Sequence, residues 1–118
     1  KLLHSGKIVI IYGPRQSGKT TLIQGILKNI SLKKLSINAD ERKYVDVLSS
    51  CDVRALESLI AGYDLIFIDE AQRVTDIGIN LKILRDNFPN LKIIVSGSSF
   101  FDLANKIKEP LREESLML

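Results

Sequence analysis

The chain has 118 residues, with 17 Lys and Arg against 14 Asp and Glu for a formal charge of +3, and it is 45% apolar and 26% charged. That length supports one compact domain, and the composition lies well away from the polar extreme that keeps chains disordered. No apolar run approaches the roughly 18 residues of a membrane span, and residues 1–11 are too short and too soon interrupted for a signal peptide, so a cytoplasmic protein with no membrane partner is expected.

In chain order, residues 7–12 (KIVIIY) are a first apolar, β-branched run, and a Gly-rich stretch follows. Residues 19–30 then place Leu22, Ile23, Ile26, Leu27 and Ile30 on one helical face. Residues 35–38 (LSIN) read as a second strand, residues 40–50 are ambiguous, and Val53–Ile60 reads as a helix closed by Gly62. Residues 64–69 (DLIFID) form a third apolar run. Ile77, Leu81, Leu84 and Phe88 recur at i, i+4, i+7 and i+11 until Pro89 stops the helix, and residues 92–96 (KIIVS) form the fourth run. Ser99 with Asp102 three residues later resembles a capping box opening a short helix through Ile107.

The first, third and fourth runs are apolar almost throughout, as parallel strands buried on both faces must be. Strand and helix alternate, which predicts an α/β sandwich with a mostly parallel sheet and right-handed crossovers. Cys51 stands alone, which excludes an intramolecular disulfide and a cysteine-built zinc site, and it reads as a structural thiol. Lys33 with Lys34 and Arg42 with Lys43 are only pairs and read as solvated surface, so the excess charge does not by itself imply nucleic acid.

Gly13, Pro14, Arg15, Gln16, Ser17, Gly18, Lys19 and Thr20 fit G-x-x-x-x-G-K-[ST] between a strand and a helix, and Thr21 follows. Glycines at both ends let the backbone bend around an anion, so that successive N–H groups and the positive end of the next helix face a phosphate. Pro14 has no N–H to offer, so the inward amides come mainly from later residues, while Arg15 and Gln16 fall at the outer tip. Lys19 supplies a charge to the β and γ phosphates of a nucleotide, and the Thr20 hydroxyl can ligate Mg²⁺. A Gly-rich turn capping a core helix is the plain alternative.

The third run ends in Asp69 and Glu70, about 50 residues beyond the loop. A carboxylate at the C-terminal end of a buried strand faces the crevice where open α/β sheets bind ligands. Asp69 there can hold Mg²⁺ through water, and Glu70 can polarise a water for attack on a γ phosphate. That pairing suits an NTPase better than a small-molecule kinase, which needs a substrate hydroxyl in line instead. The fourth run ends at Ser96, Gly97, Ser98 and Ser99, so hydroxyls again meet a strand's C-terminal edge. Ser96 or Ser98 can sense the γ phosphate, although a helix N-cap and turn already account for Ser99 and can account for Ser98 as well.

Together, the loop at 13–21, the Asp-Glu-Ala-Gln-Arg run at 69–73 and the Ser-Gly-Ser-Ser-Phe-Phe-Asp-Leu-Ala-Asn-Lys run at 96–106 resemble the AAA-type P-loop ATPase domain of a large prokaryotic family. In that family a C-terminal domain of unknown function usually follows. The resemblance covers residues 7–111. It implies a three-layer fold with about five strands in the order 5-1-4-3-2, the fifth beginning near Ser115. It also implies Walker A roles for Gly18, Lys19 and Thr20, Walker B roles for Asp69 and Glu70, and a sensor at Ser96 or Ser98. One departure stands out: the Glu-Pro-Leu at 109–111 is followed by Arg112, Glu113 and Glu114, so the family's arginine two residues later is absent or displaced.

ATP binding and Mg²⁺-dependent ATP hydrolysis are therefore the expected function. A nucleotide-responsive interaction module with little turnover is an alternative, because AAA-type hydrolysis often needs an arginine from a neighbour. Arg15, Arg73 and Arg85 qualify by residue type only, and surface salt bridges explain them as well. A thymidine-kinase-like enzyme shares the loop and Asp-Glu-Ala-Gln but normally adds zinc-binding cysteine pairs. A helicase lobe would need a second lobe and stacking aromatics, against 6% aromatic residues and no Trp here. The motifs consume nearly the whole length, so the chain reads as one ATPase core, residues 1–118, cut from a longer protein. Self-association, an effector domain or nucleic-acid binding would then depend on the missing part.

Overall fold

The computed structural model describes residues 8–12, 19–97 and 115–117, with backbone only at residues 12, 19, 20, 22, 26 and 115–117. The strands are β1 (Ile8–Tyr12), β2 (Lys34–Asn38), β3 (Leu65–Asp69), β4 (Lys92–Gly97) and β5 (Ser115–Met117). The helices are α1 (Lys19–Lys28), α2 (Arg42–Leu48), α3 (Val53–Ile60) and α4 (Ile77–Asn87), with one 3-10 turn at Ala71–Arg73. All five strands form one sheet in the order β2-β3-β4-β1-β5, which is 5-1-4-3-2 read from the other edge. Every pairing is parallel. The helix expected over 99–107 and the departure at Arg112 lie outside the described residues.

Side-chain alternation divides the sheet into two dry faces. Ile8 and Ile10, Ile66 and Ile68, and Ile93 and Val95 point to one face, where they pack with Leu48, Leu56, Ile60, Ile77, Leu81 and Leu84 of α2, α3 and α4. Val9 and Ile11, Leu65 and Phe67, and Ile94 point to the other, against Ile23 and Leu27 of α1. This burial on both sides is why the three long runs carry no alternating polar residues.

The ambiguous segment 40–50 contains α2, whose half-buried Tyr44, Val45 and Val47 pack against the first face. Its short length, seven residues, hides a helical period from a sequence window. α3 begins on Asp52, whose side chain accepts from the Arg54 N–H at 3.0 Å, and Gly62 follows it at φ +84°. α1 ends at Lys28, two residues before its apolar stripe does, and Lys34 of β2 donates from Nζ to the Leu27 and Ile30 carbonyls, each at 2.7 Å. Lys34 is thus a helix cap rather than a solvated surface residue. Lys33 stands 5.3 Å from the centre of the Tyr63 ring.

Cys51 is exposed, not a core thiol, and occupies the left-handed region at φ 53° in the corner between α2 and α3. Fully buried Asn80 of α4 fixes this corner. Its Oδ1 accepts from the Cys51 N–H at 2.8 Å, and its Nδ2 donates to the Asp76 carbonyl at 2.9 Å and approaches the Cys51 Sγ at 3.5 Å. Asp76 is also left-handed, at φ 54°. A left-handed non-glycine residue costs about 1–2 kcal/mol, so one side chain secures two strained positions. Asn80→Ala should lower stability by about 1–3 kcal/mol, the cost of stranding buried polar partners. Guanidinium unfolding reads this directly, and a midpoint equal to wild type would refute the role of Asn80.

No helix among the described residues is long and apolar enough to cross a membrane.

Candidate functional site

Strand parity decides which side chains reach the site. In β3, Asp69 shares the face of Leu65 and Phe67; in β4, Ser96 shares the face of Ile94. Both therefore point to the α1 side. Register then aligns them: Asn38 pairs with Asp69, Ile68 with Val95, and Ser96 with Ile11, one residue before the end of β1. Asn38, Asp69 and Ser96 thus form a polar row across the C-terminal edge of the sheet, beside the strand that leads into Gly13.

The row is tied together. Fully buried Ser96 donates from Oγ to Asp69 Oδ1 at 2.7 Å, and the Glu70 N–H donates to the same oxygen at 2.9 Å. Two donors on one oxygen fix the plane of a half-buried carboxylate. Asn38 Oδ1 accepts from the Asp40 N–H at 2.9 Å and turns the chain out of β2. A cavity of about 210 Å³ adjoins the row on the α1 side, lined by Gln24, Asn38, Glu41, Phe67 and Asp69 among others.

Glu70 leaves the strand in the left-handed region, φ 57° and ψ 42°, and starts the 3-10 turn. The bend returns its side chain inward: Glu70 is only 4% exposed, and Gln72 Nε2 donates to its Oε1 at 2.7 Å. Backbone strain of this kind gathers where a side chain must be aimed. The turn is closed by the Arg73 N–H on the Glu70 carbonyl at 3.0 Å.

Of the site residues expected from sequence, Asp69, Glu70 and Ser96 are brought together at adjoining strand ends. Lys19 and Thr20 open α1, where only their backbone is described, and Thr21 is exposed in its first turn. Gly13, Pro14, Arg15, Gln16, Ser17, Gly18 and Ser98 lie outside the described residues. Arg73 forms an ion pair with Asp40 across the turns after β3 and β2, and Arg85 pairs with its neighbour Asp86 at 3.5 Å. Both are the exposed or half-exposed pairs that their residue type suggests. Sequence reasoning passed over Asn38 and Gln72; a polar residue at the last position of a strand, and an amide two residues after a glutamate, were the signals available.

Asp69 has a carboxylate plane fixed by Ser96 and the Glu70 N–H, and so could serve Mg²⁺ as a hard oxygen partner, directly or through water. That donor set fits Mg²⁺, which takes one or two protein oxygens and completes its shell with water and phosphate.

A family model for an AAA domain matches residues 5–118. Uncharacterised proteins of Mycobacterium bovis and Mycobacterium tuberculosis are each 33% identical to the chain over 112 residues, 94% of this chain and 24% of theirs. The chain spans about a quarter of the length of these curated relatives. Among solved structures, a katanin described for its self-assembly is similar at a TM-score of 0.62 and 21% identity, over 94% of this chain and 40% of that one. A DNA replication initiation factor gives 0.61 and 17%, over 97% and 41%. The FIGL-1 AAA domain in complex with ADP gives 0.55 and 19%, over 95% and 42%. At these identities the structures share the fold.

Proposed function

We propose that this chain, which belongs to the AAA domain family, binds ATP and hydrolyses it to ADP and phosphate with Mg²⁺. The observation that carries the reading is the Ser96 to Asp69 hydrogen bond, which aims a carboxylate from the C-terminal end of β3 toward the side where α1 begins. A glutamate follows immediately, and the loop entering α1 has the phosphate-binding pattern. Bound Mg²⁺ would supply charge that offsets the phosphate oxygens.

The amides of the loop residues after Pro14 and the Lys19 ammonium hold the phosphates. The Thr20 hydroxyl and, through water, Asp69 would hold the metal. Glu70 accepts a proton from the water as its oxygen bonds to the γ phosphorus and the bond to the ADP oxygen breaks. Ser96 is fully buried and donates its hydroxyl hydrogen bond to Asp69, so it orients the carboxylate, and contact with the γ phosphate is assigned to Ser98. ATP is the nucleotide taken in this reading, and the guanine-reading Asn-Lys-x-Asp pattern is not completed at Asn105 and Lys106, which are followed by Ile107 and Lys108.

Residues 1–118 act in this reading as one ATPase core. Arg73 and Arg85 are engaged in ion pairs with Asp40 and Asp86, and a phosphate-contacting arginine supplied by self-association or by an effector segment fits this reading. Phosphate release by the full-length protein tests the reading: it should require Mg²⁺, stop with EDTA and prefer ATP. Release no faster than a protein-free blank across a range of protein concentrations would overturn it. A rate rising faster than the concentration would mark catalytic groups shared between copies.

A further inference from the structure

The 3-10 turn after β3 holds a second side chain whose chemistry bears on hydrolysis. Gln72 is 9% exposed and Glu70 4%, and the contact between them, Nε2 to Oε1 at 2.7 Å, is a buried hydrogen bond from an amide to a carboxylate. We propose that Gln72 is the positioning residue of Glu70: its amide fixes one carboxylate oxygen and thereby sets where the other meets the attacking water. This deepens the function proposed above and rests on it.

The backbone explains why such a device is needed here. Glu70 lies at φ 57°, beyond the sheet ladder, and so is not aimed by the strand as Asp69 is. A glutamate has three side-chain torsions, and a terminal carboxylate torsion is broad and soft. Asp69 has its plane fixed by Ser96 from β4 and by the Glu70 N–H. Glu70 receives the corresponding constraint from within its own turn. Gln72 is brought into range because the tight turn folds residue 72 back over residue 70, with the Arg73 and Val74 N–H groups bonded to the Glu70 and Ala71 carbonyls at 3.0 and 3.1 Å. An extended exit from the strand would carry residue 72 away.

Gln72→Met keeps the side chain's length and removes the donor; Gln72→Glu keeps the shape and replaces the donor with a second carboxylate. In the full-length protein, kcat for ATP should fall about 10- to 100-fold in both, the range for a misplaced catalytic group. KM and nucleotide affinity should stay within about threefold, and circular dichroism and the thermal midpoint report folding. A variant that fails to fold is set aside for the other, since their substitutions stress the buried turn oppositely.

The deciding measurement is a double-mutant cycle. If Gln72 acts through Glu70, adding Gln72→Met to Glu70→Gln should cost nothing further. Wild-type kcat in both folded Gln72 variants, or a full additional loss in the Glu70→Gln background, overturns the proposal. Full turnover by Glu70→Gln alone instead overturns the underlying hydrolysis reading.

Discussion

Lys19→Ala should raise the ATP dissociation constant by about 30-fold to several-thousand-fold while leaving the fold intact. The loop that precedes α1 supplies amide dipoles, and its one charged residue, Arg15, is expected at the outer tip, so in the proposed site Lys19 is the residue that answers the β and γ phosphates with a full positive charge. Truncating one partner of a desolvated charge pair costs about 2–5 kcal/mol, which sets the range given. The helix should not suffer, because Lys19 is the first residue of α1 and alanine is the best helix former. Titration calorimetry with ATP, read beside circular dichroism, separates the two effects. Unchanged affinity in a folded variant would remove the phosphate-binding role of the loop and with it the ATPase reading.

The architecture was legible because burial is written into the long strands twice over. A strand such as Leu65–Asp69, with Leu65 and Phe67 facing α1 and Ile66 and Ile68 facing α2 to α4, leaves no position for a polar residue until the chain exits the core. The first polar residue there is Asp69, and its placement follows from that logic. β2 was harder to read: it is an edge strand, and its α1-facing positions, Ser36 and Asn38, are exposed. α2 stayed ambiguous for want of length. Lys34 was misread because its role as a cap depends on the end of a helix that no local pattern connects to it.

The site divides in the same way. Asp69 and Glu70 are named by their place at a strand end, and Ser96 by its place on the next strand, so the motif and the sheet order together put them side by side. Gln72 belongs to the Asp-Glu-Ala-Gln-Arg run but no strand end marks its role, and Asn80 lies in no motif. Each acts through a bend: Gln72 through the left-handed Glu70, Asn80 through the left-handed Cys51 and Asp76. Left-handed non-glycine residues cannot be read from residue type, and the side chains that stabilise them are invisible until the bend is known. Both bends flank the segment from Glu70 to Asp76, so the same short stretch is fixed at one end by a glutamine and at the other by an asparagine.

Glu70→Gln should bind ATP as wild type does and lose turnover by about 10²- to 10⁴-fold, the range that general base catalysis contributes. The substitution is nearly isosteric and keeps an amide oxygen that can accept from Gln72 Nε2, so neither the left-handed backbone nor the packing of the 3-10 turn is disturbed. What it removes is the ability to take a proton from water at neutral pH. Nucleotide affinity should survive, because the phosphates are held in this reading by Lys19 and the loop and the metal by Thr20 and Asp69. Single-turnover hydrolysis of radiolabelled ATP measures the chemical step apart from product release, and equilibrium binding is measured on the same preparation. The pattern expected is therefore a slow step with an unchanged dissociation constant, opposite to that of Lys19→Ala. A folded Glu70→Gln protein that hydrolyses ATP at the wild-type rate would move the proton acceptor elsewhere, and the buried bond from Gln72 would then serve only to close the turn.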